Sequence, residues 1–211
     1  MTTLLIIGAT GLVGRSVVRQ ALADPRFTRI VAPTRRPIAE RDARLENPIV
    51  DFAQLPDAYW WAADAAISAL GTTMKQAGSK DAFRTIDYAY NVAVARLALA
   101  HGTRTFALTS SVGAKAGSRF FYLRVKGELE EALGALGFAS FTIVRPAGLG
   151  GEREHRRPLE RVSGTLMRAL SVVVPRRYRV VDAERVAKTL LTSALEARPG
   201  THVIESEHIA R

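Results

Sequence analysis

The sequence predicts an α/β protein built on one doubly wound parallel sheet with helices on both faces. Three observations carry that expectation. Short apolar runs of strand length recur along the 211 residues, stretches with helical periodicity separate them, and the first run passes directly into a glycine-rich turn that opens a helix. With 47% hydrophobic residues, a chain of this length can bury a two-sided core, so residues 1–211 are expected to form a single domain.

The first strand is read at Leu4-Leu5-Ile6-Ile7, an unbroken apolar run of the kind a strand buried on both faces requires. It leads into Gly8-Ala9-Thr10-Gly11-Leu12-Val13-Gly14 and a helix starting near Gly11, whose apolar positions are Val13, Val17, Val18, Ala21 and Leu22. Further strands are expected from Thr28 to Ala32, Ala65 to Leu70, Thr105 to Thr109, Phe141 to Val144 and His202 to Glu205, with a shorter one from Pro48 to Val50. A helix is expected from Asp81, as N-cap, to Ala100, closed by His101-Gly102. Another spans Phe120 to Leu136 and stops before Gly137, and a third follows Asp182, again as a cap, through Leu195. The segment 148–179 is rich in Arg, Pro and Gly and lies beyond the last central strand. Because ligands sit past the carboxyl ends of the strands in open α/β sheets, this segment is a candidate substrate lid.

Composition excludes several classes. The chain has no cysteine, which removes disulfides, thiolate metal sites and a cysteine nucleophile. Its four histidines are scattered without ligand spacing, so no metal is expected. Neither a signal peptide nor a membrane-length apolar run is evident, and the expectation is a soluble, cytoplasmic protein that does not bind membranes. A formal charge of +10 raises nucleic acid as a partner, but the arginines are dispersed and lack interleaved aromatics, which favours an anion-binding cleft instead. Two clusters stand out as phosphate-facing candidates, Arg35-Arg36 and Arg153 with Arg156-Arg157.

The order strand, glycine turn, helix is what a dinucleotide's pyrophosphate needs. Gly8 can make the tight turn, Gly11 lets the main chain approach the phosphates, and Gly14 lets the helix pack on the strand, while the helix N-terminus faces the anion. After the second strand the sequence reads Ala32-Pro33-Thr34-Arg35-Arg36-Pro37, without the acid that would accept from a ribose hydroxyl. Arginine there suits a 2′-phosphate, which points to NADP(H). Asp51, after the third strand, is either a contact to the adenine edge or a turn residue. Leu70-Gly71-Thr72 ends the fourth strand, where its main chain would run under the cofactor.

A second constellation is Thr109-Ser110-Ser111 at the end of the fifth strand, followed by Tyr122-Leu123-Arg124-Val125-Lys126 on a helix. A spacing of four puts the tyrosine and lysine on one helical face, where an ammonium can favour the tyrosinate and let a phenol exchange a proton near neutral pH. A serine hydroxyl from the strand end would then bind the substrate oxygen.

These residues resemble the short-chain dehydrogenase/reductase superfamily, in its atypical branch with the Gly-Ala-Thr-Gly opening. Leu70-Gly71-Thr72-Thr73, Ala77-Gly78, Tyr122 to Glu128 and Val144-Arg145-Pro146 are similar to the Tat-interacting protein oxidoreductases and their small bacterial relatives. The resemblance runs from about Leu4 to Pro158 and implies a Rossmann-like fold, NADP(H) as cofactor and a tyrosine acid/base. Residue by residue it implies cofactor contacts from Thr10, Gly11, Leu12, Val13, Arg35, Arg36, Leu70, Gly71, Tyr122, Lys126, Leu149 and Arg157. It implies catalysis by Tyr122, Lys126 and Ser111, with Ser110 as the alternative serine and Asp87 or Asn91 as a fourth polar member. The expected activity is reduction or oxidation of a small carbonyl or alcohol by a monomer or homodimer. No long substrate domain like that of the sugar epimerases is expected, which argues against a large nucleotide-sugar substrate. A redox-sensing regulator that binds NADP(H) without turnover is the alternative reading.

Overall fold

The computed structural model describes residues 2–150, 177 and 179–209. Seven parallel strands form the central sheet: β1 (Thr2–Ile7), β2 (Phe27–Val31), β3 (Leu45–Glu46), β4 (Ala65–Ser68), β5 (Thr105–Thr109), β6 (Ser140–Arg145) and β9 (Gly200–Glu205). They lie side by side in the order β3-β2-β1-β4-β5-β6-β9. Chain progression therefore reverses between β1 and β4, and a crevice opens at the carboxyl ends on either side of β1. A parallel two-stranded ribbon of β7 (Gly148–Gly150) and β8 (Val180–Asp182) stands apart from the sheet.

The run Leu4 to Ile7 explains why β1 is central. Leu4 and Ile6 enter one core cluster, Leu5 and Ile7 the other, and all four are fully buried. Burial of each such side chain contributes about 1.5–3 kcal/mol. On the first face pack α1 (Leu12–Ala23) and α6 (Ala183–Glu196), and on the second α4 (Tyr90–Ala100) and α5 (Phe121–Gly134). The expected doubly wound sheet is the one observed.

Boundaries differ in instructive places. The third strand lies at Leu45–Glu46 instead of Pro48 to Val50, because Pro48 has no N–H for the ladder; beyond it only a single bridge joins Ile49 to Thr34. Short helices α2 (Met74–Ala77) and α3 (Lys80–Arg84) precede α4, and the cap of α3 is Ser79, whose hydroxyl accepts from Ala82 N–H, not Asp81. A π-helical turn at Thr85–Ala89 joins α3 to α4. At α6 the expected cap is found, Asp182 accepting from Glu184 N–H at 3.0 Å. Most of the 148–179 lid candidate lies outside the described residues.

Candidate functional site

A cleft of about 700 Å³ opens at the carboxyl ends of β1, β2 and β4. It is lined by Gly8, Thr10 and Gly11, by Pro33 to Arg36, by Phe52, and by Ala69 to Thr72, with Gln76, Ile86 and Tyr90 completing it. Gly8 has φ +82°, and a Cβ there would sit 2.6 Å from the Ala69 and Leu70 backbone. A Cβ on Gly14 would fall 2.0 Å from the Gly8 carbonyl oxygen, so turn and helix meet backbone to backbone. Gly11 has an ordinary φ of −77°; leaving out its side chain keeps the helix end open to the cleft. Helix α1 starts with no side-chain cap and no acid in its first turn, so its N–H groups and positive dipole end are available to an anion. Val13 turns its side chain into the core and Leu12 is half-buried, which leaves mainly their amides to offer.

Arg35 and Arg36 form the exposed crest of the loop after β2, and their guanidinium groups have no hydrogen bond or ion pair among the described residues. Asp51, by contrast, is outside the cleft lining and accepts from Ala53 N–H at 2.9 Å, as a turn residue does. Its neighbour Phe52 is the residue that lines the cleft.

The wall after β4 joins this cleft to helix α5. A Cβ on Gly71 would lie 3.4 Å from Lys126 Nζ and 3.1 Å from Asp87 Oδ1, so the ammonium sits just beneath that wall. Lys126 and Asp87 are both almost fully buried, with Nζ 2.8 Å from Oδ1. That contact has the distance of an ion pair without hydrogen-bond alignment, and Oδ1 has no other partner among the described residues. Asp87 Oδ2 accepts from Thr72 N–H at 2.8 Å, which ties the wall to the π-helical turn. Asn91 is buried beside it. Its Oδ1 accepts from Ser68 Oγ at 2.5 Å, and its Nδ2 reaches the carbonyls of Leu70, Ile86 and Asp87. One turn before Lys126, Tyr122 is 37% exposed and stacks obliquely on Phe83 at 5.7 Å between centroids.

The two serines after β5 differ in their commitments. Ser110 Oγ donates to Glu130, whose carboxylate also takes two bonds from Arg145, Nε to Oε1 at 3.0 Å and Nη2 to Oε2 at 2.5 Å. Arg145 Nη1 bonds Glu205 as well, and the hydrogen bond to Glu130, ahead of the cost of burial, raises the arginine's pKa above its ordinary value. Ser111 Oγ makes only a long 3.4 Å contact to the carbonyl of Val112. Tyr122, Lys126 and Ser111 are not part of the cleft lining, and of the three Lys126 approaches its wall, beneath Gly71. Leu149 packs against the core from β7, and Arg157, Arg153 and Arg156 lie outside the described residues.

Glu130 was not singled out from sequence, although Tyr122, Lys126 and Glu130 repeat at a spacing of four and so share one helical face. Asn47 was also missed. It lies between β3 and Pro48, and its side chain binds the arginine loop.

A model of the NAD(P)H-binding family matches residues 8–196. The mitochondrial protein FMP52 of Candida albicans is 38% identical over 155 residues, covering 71% of this chain and 68% of that one. The mitochondrial protein fmp52 of Aspergillus niger is 32% identical over 224 residues, covering 99% and 94%. Among solved structures, a putative NAD-dependent epimerase/dehydratase from Bacillus halodurans superposes with a TM-score of 0.68 at 18% identity, covering 98% of this chain and 97% of that one, a likeness of fold. The expected cytoplasmic location is corrected by the fungal relatives, which are named as mitochondrial. A cysteine-free composition and the lack of a long apolar run do not distinguish the two compartments. The resemblance to the atypical short-chain dehydrogenase/reductase branch holds, and with the model spanning the glycine turn through α6, the chain belongs to the NAD(P)H-binding family.

Proposed function

We propose that this protein is an NADP(H)-dependent oxidoreductase of the short-chain type, acting on a small carbonyl or alcohol as a monomer or homodimer. The observation that carries the reading is the placement of Lys126 Nζ directly beneath the cleft wall at Gly71, one helical turn from a half-exposed tyrosine. The residues present fit the cofactor: an uncapped helix N-terminus, a cleft of ligand size, and two arginines without a partner among the described residues, where an acid would oppose a 2′-phosphate.

The bound nicotinamide would supply the hydride chemistry. Tyr122 would exchange a proton between its phenol and the substrate oxygen, protonating the oxygen in the reductive direction. Lys126, one helical turn along α5 from Tyr122, would hold the cofactor ribose. Ser111, with its hydroxyl uncommitted to any strong partner, would orient the carbonyl, whereas the Ser110 hydroxyl is engaged by Glu130.

The sensor reading is favoured by a different observation. Asp87 stands 2.8 Å from the Lys126 ammonium and offsets the charge that would act on Tyr122. Following NADPH oxidation across a panel of aldehydes and ketones separates the two. Turnover supports the enzyme, and tight NADPH binding with no turnover on any member supports the sensor.

A further inference from the structure

We infer that Asn47 is a positioning residue for cofactor discrimination: its side-chain amide holds the arginine loop in the shape that presents Arg35 and Arg36 to a 2′-phosphate. The inference rests on the NADP(H) reading above. The loop has buried feet and an exposed crest. Thr34 is 4% and Ile38 6% exposed, while Arg35, Arg36 and Pro37 between them are exposed. Two adjacent guanidinium groups repel each other and find no partner among the described residues, so their own contacts do not fix the crest.

Asn47 supplies the fixing. Its Nδ2 donates to the Ala32 carbonyl at 2.5 Å and to Thr34 Oγ1 at 2.8 Å, and its Oδ1 accepts from Ile38 N–H at 3.0 Å. Thr34 Oγ1 in turn donates to the Arg36 carbonyl at 2.6 Å. Asn47 thus clamps the loop before and after the arginine pair, and through Thr34 it reaches the Arg36 carbonyl. It does so where Pro48, having no N–H to donate, interrupts the β3 ladder before pairing resumes at the Thr34–Ile49 bridge. Asn47 itself is absent from the cleft lining, so it acts through the loop.

The test measures dissociation constants for NADPH, NADH, adenosine 2′,5′-bisphosphate and AMP on wild type, Asn47→Ala and Thr34→Val. Asn47→Ala is expected to weaken the two 2′-phosphorylated ligands by about 10-fold, through misplacement of the arginines, and the other two by less than about 2-fold. Thr34→Val should act in the same direction but less strongly, because Asn47 keeps its bonds to Ala32 and Ile38, and the double variant should be no worse than Asn47→Ala alone, since the Thr34 link depends on Asn47. Equal losses for phosphorylated and unphosphorylated ligands would reduce Asn47 to a structural part and overturn the inference. So would a wild-type preference kept intact in Asn47→Ala. A wild type that binds NADPH and NADH alike would instead remove the NADP(H) reading itself, and the discrimination assigned to Asn47 with it.

Discussion

Replacing Arg35 and Arg36 together by alanine isolates the contribution of the 2′-phosphate. Both side chains are exposed and neither has a partner among the described residues, so removing them breaks no contact of the fold. Stability should stay within about 0.5 kcal/mol of wild type. A charge-assisted hydrogen bond contributes about 1.5–3 kcal/mol, and solvent exposure places each of these at or below the lower end. The pair then accounts for about 2–3 kcal/mol of NADPH binding, or roughly 30- to 150-fold in Kd. NADH has no 2′-phosphate and should lose less than about 3-fold. Calorimetric titration of both cofactors at two salt concentrations reads the difference, which should shrink at high salt because the site is open to ions. Equal losses for NADPH and NADH would refute the assignment of this loop to the 2′-phosphate.

Three further substitutions probe other parts of the site. Glu130→Ala strips Arg145 of its main partner and leaves the Ser110 hydroxyl without an acceptor, and urea unfolding should show a loss of about 3 kcal/mol; less than 1 would mean the network is not stabilising. Lys126→Ala leaves the Asp87 carboxylate buried without its cation, so it should destabilise the fold by about 3 kcal/mol as well as weaken NADPH binding, and adding Asp87→Asn should recover part of the stability. Gly11→Val places a branched side chain over the open helix end and should abolish NADPH binding with the circular dichroism spectrum intact; unfolding instead would make the glycine a requirement of the fold.

What the sequence revealed was what short-range physics decides. A strand buried on both faces is apolar through its centre, so Leu4 to Ile7 and Phe106-Ala107-Leu108 within Thr105 to Thr109 could be located, and Asp182 stood out because a cap acts within its own helix turn. Gly8 and Gly14 were readable for the same reason: their positions in the turn demand the absence of a side chain. The pairings that depend on tertiary placement were not readable. Asp87 meets Lys126 only because a π-helical turn rotates it toward α5, and Glu130 meets Arg145 only because β6 lies beside that helix. Asp81 was the expected cap, but Ser79 caps equally well by residue type, and only the backbone shows which hydroxyl or carboxylate reaches an N–H. Asn47 has no pattern of its own, and its importance appears only once the β3 ladder is seen to stop at Pro48.

The central claim is that Tyr122 moves the proton while the cleft holds NADP(H). With any carbonyl substrate found in the panel, steady-state turnover of Tyr122→Phe against wild type is the most direct measurement, since the change removes one oxygen and keeps the ring on Phe83. Turnover is expected to fall by about 100-fold or more, with the Kd for NADPH nearly unchanged. Turnover within about 2-fold of wild type would contradict it.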